Sequence, residues 1–294
     1  MSILTLEEKR QRAKDIVGRK SESKQIPLSL SQRGIWLHYR TFPQSVAYNL
    51  PTLVRLPERI DLSILQESVI AVVGRHKILN GIFEERDGEI SLVYQEDQEI
   101  SFEVETLSVD RGEDALTKRV REEISRPFAL CSEAPIRTIV FQQKSGSAYL
   151  LFLVHHIVCD GSSLNILMSE TIQIYNGISE NGSITGLSPP KQYGDFINWQ
   201  NDRVRARLIN EQLDYWVGCL EGHSSLELPV KGLRPVVFTF RGKRERFRID
   251  DSLKKAVMNA SLTQGVTVFM FLLAVYRILL YRQSDQADFC IGVP

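Results

Sequence analysis

The stretch IRTIVFQQKSGSAYLLFLVHH, residues 136–156, constrains the fold more than any other. Two runs rich in Ile, Val, Leu and Phe flank the turn-forming KSGS, the pattern of a β-hairpin. The second run is the most apolar in the chain and ends on two adjacent histidines, His155 and His156. Asp160 and Gly161 follow four and five places after the second. Either the imidazoles finish a strand end or one of them faces a reaction site.

Strands and helices mix along the rest of the chain. LSLSQRGIWLHYR (28–40) predicts a short extended entry and a helix, and AYNLPTLVRL (47–56) a strand that Pro51 pushes toward an edge. Residues 61–76 predict a helix that Asp61 can cap, with Leu62, Leu65, Val69 and Val72 or Val73 as its apolar stripe. Residues 80–94 read as a hairpin around Asp87-Gly88. A helix over 113–128 stops at Pro127, and another begins at Ser162. The Gly-, Ser-, Asn- and Pro-rich segment 177–191 reads as a linker. Beyond it the pattern predicts helices near 192–203, 207–221, 251–263 and 267–283. It also predicts strands within 236–249 and at 288–294. Residues 4–19 carry a weak amphipathic pattern, so 1–24 are expected to form a helical appendage with a short linker. This mixture predicts an α/β sandwich with a mixed sheet.

Composition excludes several partners. Lys+Arg and Asp+Glu balance at 36 each in 294 residues, so no net charge favours nucleic acid or an anionic membrane. No run approaches the roughly 18 apolar residues of a membrane span. The four cysteines, Cys131, Cys159, Cys219 and Cys290, are widely spaced, which points to a reducing, cytoplasmic compartment.

Side chains alternate across a strand, so His155 and His156 point to opposite faces if the strand runs through both. One is then structural and the other free for chemistry. The same alternation argues against a metal pair, and no H-E-x-x-H or cysteine cluster supplies further ligands. Asp160 can cap the following helix or pair with a buried arginine. Gly161 allows tight backbone geometry at the turn. Ser162 and Ser163 lack a nucleophile-elbow setting, and nothing marks Cys159 as activated.

With these residues placed, the sequence resembles the condensation domains of nonribosomal peptide synthetases, within the chloramphenicol-acetyltransferase-like acyltransferases. HHIVCDG (155–161) matches the family's H-H-x-x-x-D-G in full. SLSQRGIWL (29–37) resembles S-x-A-Q-x-R-L-W-x-L and keeps Ser29, Gln32, Trp36 and Leu37. RHKILNGIF (75–83) resembles R-H-x-x-L-R-T-x-F and keeps Arg75, His76, Leu79 and Phe83. YGDFINWQ (193–200) matches Y-x-D-[FY]-x-x-W-Q, and IGVP (291–294) resembles the start of I-G-x-P-x-A-G-R. Gly34 departs from the first motif, and Asn80 and Gly81 replace the second motif's Arg-Thr.

The resemblance implies a two-layer α/β sandwich of two similar lobes with the active site between them. Here it implies a complete first lobe at 25–176 and an incomplete second lobe at 192–294. The implied reaction is amide-bond formation: the amine of a carrier-bound aminoacyl group attacks an upstream carrier-bound acyl or peptidyl thioester. No cofactor is bound directly, because both substrates ride on phosphopantetheine arms. The implied partners are a donor and an acceptor carrier protein and an adjacent adenylation domain, with 1–24 a possible docking segment. His156 is the implied base or positioning group, since an imidazole titrating at about 6.5 can take the proton of the attacking amine. His155, Asp160, Gly161, Arg75 and Arg137 are implied supports of the site. The alternatives are an acyltransferase with a soluble acceptor and a non-catalytic carrier-docking fragment.

Overall fold

The hairpin at 136–156 forms the middle of a sheet. In the computed structural model, residues 25–293 are described apart from 95–99, 108–111, 145, 185, 206–207, 230–241 and 244. The expected helix at 4–19 and the docking segment 1–24 lie outside the described residues. Strands β6 (Ile136–Gln143) and β7 (Ala148–His155) pair antiparallel in a four-stranded sheet ordered β2-β7-β6-β5. Here β2 is Asn49–Arg55 and β5 is Phe102–Leu107. Strand β5 runs parallel to β6, so the sheet is mixed, as expected. Val140, Leu151, Leu153 and Val154 are fully buried, which accounts for the apolar character of the hairpin on both faces. Pro51 sits in β2 at the sheet's edge, where its missing N–H costs no ladder bond on the open side.

A second, three-stranded sheet is ordered β1-β4-β3, with β1 at Gln25–Pro27, β3 at Gly81–Arg86 and β4 at Glu89–Tyr94. Its hairpin turns on Asp87 and Gly88, both at positive φ (52° and 80°), as the Asp-Gly pair requires. Gly81 has a different reason to be glycine. A Cβ there would stand 2.6 Å from the Val93 carbonyl oxygen, so the threonine of the family motif does not fit this strand pairing.

Helix α1 (Leu30–Thr41) starts on a reciprocal capping box between Ser29 and Gln32 and buries Trp36. Helix α2 (Leu62–Arg75) is capped by Asp61, which accepts from the Ser63 and Ile64 N–H groups. Its stripe of Leu65, Val69, Val72 and Val73 lies in the core. Helix α3 (Gly112–Ile124) ends three residues before Pro127. Helix α4 (Gly161–Asn181) packs against α2, and its Tyr175 hydroxyl accepts the Asp61 N–H at 2.9 Å.

Two differences from the sequence reading concern organisation. Helix α4 continues to Asn181 and stops at Gly182 in the left-handed region, so the polar tract from 177 is helical at its start. The chain divides into compact units at 1–206 and 207–294, beyond the expected linker. Helix α5 (Tyr193–Arg205) belongs to the first unit: the Leu30 N–H donates to Gln200 at 2.9 Å and the Tyr193 hydroxyl to the Ser29 hydroxyl at 3.0 Å.

The second unit contains α6 (Leu208–Leu220), α7 (Asp251–Thr263) and α8 (Val268–Ser284). Asp250 and Thr267 cap α7 and α8. Half of the expected strand at 236–249 falls outside the described residues, and the described half, 242–243 and 245–249, is irregular. The expected strand at 288–294 is also irregular over 288–293. An apolar run becomes a strand only beside a partner that completes its ladder, and the described residues of this unit offer none. No single described helix is long and apolar enough to cross a membrane.

Candidate functional site

The turn that leaves β7 carries the two histidines into different environments. Strand β7 ends at His155, and His156 opens the turn that precedes α4. The His156 N–H donates to the Tyr48 carbonyl at 2.8 Å and the Val158 N–H to the His155 carbonyl at 3.1 Å. These bonds hold the backbone on both sides of the second histidine.

His155 is buried at 4% exposure. Its Nδ1 accepts the Ile157 N–H at 3.2 Å, which leaves the ring proton on Nε2. Phe128 meets its ring edge-on at a centroid distance of 5.8 Å, and Tyr39 and Tyr48 lie near it. Burial, with His156 and His38 nearby, pushes its pKa from 6.5 down to about 4, so it is neutral at physiological pH. His38 is not a free surface group: its Nε2 lies 3.0 Å from the Ser45 hydroxyl and its ring meets Tyr48 edge-on.

His156 is partly exposed. Its ring meets Tyr48 edge-on at 6.1 Å, and among the described residues no hydrogen bond engages either ring nitrogen.

Asp160 is the N-cap of α4. It accepts from the Ser163 N–H and the Ser163 hydroxyl, both at 2.7 Å. The Ser163 hydroxyl, its N–H, and more weakly His156 hold the carboxyl below its ordinary range. Of the two roles expected for Asp160, the helix cap is formed and the ion pair with Arg75 or Arg137 is not. Arg75 donates from Nε to Glu170 at 3.0 Å and from a terminal nitrogen to the Ser188 carbonyl at 2.7 Å. Arg137 donates to Glu133 at 2.6 Å and to the carbonyls of Arg126 and Pro127, and it lies over the Phe128 ring at 4.1 Å. Asp160 is exposed, and Ser163, three residues into the chain that follows, offers it two hydrogen bonds without the desolvation a buried pair requires.

Of the two arginines, Arg137 is the one linked to the histidine pair by the contacts described. Arg137 packs on the phenylalanine that packs on His155. Arg75 ties the end of α2 to Glu170 in α4, where His76 Nε2 also lies 3.0 Å from Glu170. Burial alone would raise the Glu170 pKa, but the hydrogen bonds from Arg75 and His76 outweigh it and hold it below its ordinary value. Gly161 opens α4 with nothing within 4 Å of a would-be Cβ, so crowding does not require glycine there. Burial, with Asp160 beside it, pushes the Cys159 thiol up to about 12, which leaves it no thiolate to react with at neutral pH. Among the described residues, no three His, Cys, Asp or Glu side chains converge as a metal site.

The motif of 29–37 also touches this turn. Gln32, buried on α1, donates from Nε2 to the Ile157 carbonyl at 2.8 Å. Sequence reasoning kept Gln32 as a motif residue without a role. Its spacing from Ser29 reveals the capping box but not its partner 125 residues along the chain.

A family model described as Condensation domain matches residues 22–294. A linear gramicidin synthase of Brevibacillus parabrevis is 32% identical over 281 residues, covering 93% of this chain and 6% of that protein. A plipastatin synthase of Bacillus subtilis (strain 168) is 31% identical over 270 residues, covering 91% of this chain and 10% of that protein. Among solved structures, the condensation domain from the monacolin K polyketide synthase superposes with a TM-score of 0.75 at 17% identity, covering 91% of this chain and 62% of that chain. The X-domain from teicoplanin biosynthesis gives 0.79 at 22%, covering 91% and 59%. The chain spans a small part of those synthases and about three fifths of those solved domains.

Proposed function

The chain belongs to the condensation-domain family, and from that premise we propose that it takes part in amide-bond formation between two carrier-bound thioesters. The observation that carries the reading is the unlike pair of histidines: His155 buried and neutral, His156 partly exposed with no hydrogen bond to either ring nitrogen among the described residues.

The acceptor is an aminoacyl group and the donor an acyl or peptidyl group, each on a phosphopantetheine arm of a carrier protein. A free α-amino group has a pKa of about 7.7–8.0, so a useful fraction is already neutral and attack needs no strong base. The amine nitrogen bonds to the thioester carbonyl carbon, and the resulting zwitterionic adduct must lose a proton from nitrogen. His156 accepts that proton as the carbon–sulfur bond breaks and returns it to the departing thiolate. Holding amine and thioester side by side contributes separately. His155 supports the turn through the Ile157 N–H, and Asp160 orders the start of α4. An adenylation domain is the expected neighbour that selects the acceptor amino acid. The cysteine pattern favours a cytoplasmic setting.

The test loads a donor and an acceptor carrier, adds the protein carrying this sequence, and follows the amide product by mass. His156→Ala is expected to lower the transfer rate roughly 10²–10⁴-fold. Near-normal transfer by that variant overturns the reading.

A further inference from the structure

Gln32 uses both ends of its side chain in a buried setting. Its Oε1 accepts the Ser29 N–H at 3.0 Å, closing the capping box of α1, and its Nε2 donates to the Ile157 carbonyl at 2.8 Å. Ile157 directly follows His156. The peptide groups around His156 are fixed by three other bonds, to Tyr48, to His155 Nδ1 and to the His155 carbonyl. Of these four anchors, Gln32 is the one that ties the turn to α1.

The anchor itself is braced. The Ser29 hydroxyl accepts the Gln32 N–H at 3.2 Å and the hydroxyl of Tyr193, in α5, at 3.0 Å. Ser29 and Gln32 are 0% and 4% exposed, so a misplaced polar atom there has no water to turn to. One hydrogen-bonded chain thus runs from α5 through the start of α1 to the turn carrying His156. An apolar side chain of similar volume would fill the space but leave the Ile157 carbonyl and the Ser29 N–H without these partners.

Resting on the role proposed above for His156, we propose that Gln32 is a positioning residue: it fixes the turn so that the His156 ring meets the reacting amine. A base displaced by about 1 Å can cost roughly a hundredfold in rate, which is the scale on which such an anchor acts.

Gln32→Glu separates the two ends of the side chain. A glutamate keeps an acceptor for the Ser29 N–H, since Glu serves a capping box as well as Gln, but presents an acceptor to the Ile157 carbonyl. The expected result is a kcat at least tenfold lower with the KM for loaded carrier unchanged. Amide exchange at 156–158 should be at least tenfold faster while the first turn of α1 keeps its protection. Gln32→Met, of similar size and without a donor, gives the same result at the turn if the glutamate variant does not fold. Asp61→Ala, which removes a helix cap away from the turn, lowers stability and leaves kcat unchanged.

Wild-type kcat in Gln32→Glu, unchanged exchange at 156–158, or an equal kcat loss in Asp61→Ala overturns the proposal. If the wild-type protein forms no amide product, the amide reading fails by itself. The exchange arm still decides whether Gln32 holds the turn.

Discussion

The buried neutral His155 makes stability depend on pH in a way that can be worked out from its surroundings. In the folded chain its pKa is about 4, against 6.5 for a free imidazole. Above pH 6.5 the ring is neutral in both folded and unfolded chains and sets no pH dependence. As pH falls from 6.5 to 4 the unfolded chain takes up a proton that the folded chain refuses, so stability is lost across that window. At about 1.36 kcal/mol per unit, the full loss is on the order of 3 kcal/mol, with about 2 kcal/mol already gone at pH 5. His155→Asn isolates this contribution. Its side-chain oxygen can take the place of Nδ1 and accept the Ile157 N–H, and it does not titrate. Urea unfolding of both proteins at pH 7.5, 6 and 5, followed by tryptophan fluorescence, gives the comparison. The variant should be less stable at pH 7.5 because it fills less space between Phe128 and Tyr48. It should nevertheless lose about 2 kcal/mol less than the wild type between pH 7.5 and 5. Equal losses in the two proteins refute the argument, because the pH slope would then come from other groups.

Two further outcomes follow from the hydrogen bonds around the site. Asp160→Asn should keep stability within about 0.5 kcal/mol while Asp160→Ala loses about 1 kcal/mol, since Asn caps a helix as well as Asp. A large loss in the asparagine variant, measured by the same urea titration, would mean that a charge partner was being removed. Arg75→Ala should cost roughly 3 kcal/mol by leaving Glu170 without its buried cation. Arg75→Lys should recover only part of that, because one ammonium does not span Glu170 and the Ser188 carbonyl as the guanidinium does. Full recovery by lysine would show that charge alone, and not the fork, holds α2 to α4.

Features set by neighbours in sequence were readable from the residues, and features set by distant partners were not. Asp61, Asp87-Gly88 and KSGS act within four residues of themselves, and each lies where the pattern placed it. Strand β5 was missed because FEVETL carries two glutamates and is held by its parallel pairing with β6, a partner no local pattern names. The tract after 176 looked like a linker from its Asn, Gly and Ser content. Ile178 nevertheless packs on the core and carries α4 another turn. Asp160 follows the same division: the helix cap that sequence offered is formed, with Ser163 three residues away, while the two distant arginines it also offered are engaged elsewhere. Strand alternation separates the histidines only if β7 runs through both, but β7 ends at His155 and His156 lies in the turn; alternation also says nothing about which face is dry. That was decided by Phe128, Tyr39 and Tyr48, brought from three other stretches of chain. Gln32 joins the two kinds of information in one side chain. Its oxygen makes the local bond that S-x-x-Q announces, and its nitrogen makes the distant one. A motif residue that satisfies a local rule with half of its groups therefore still has the other half to account for.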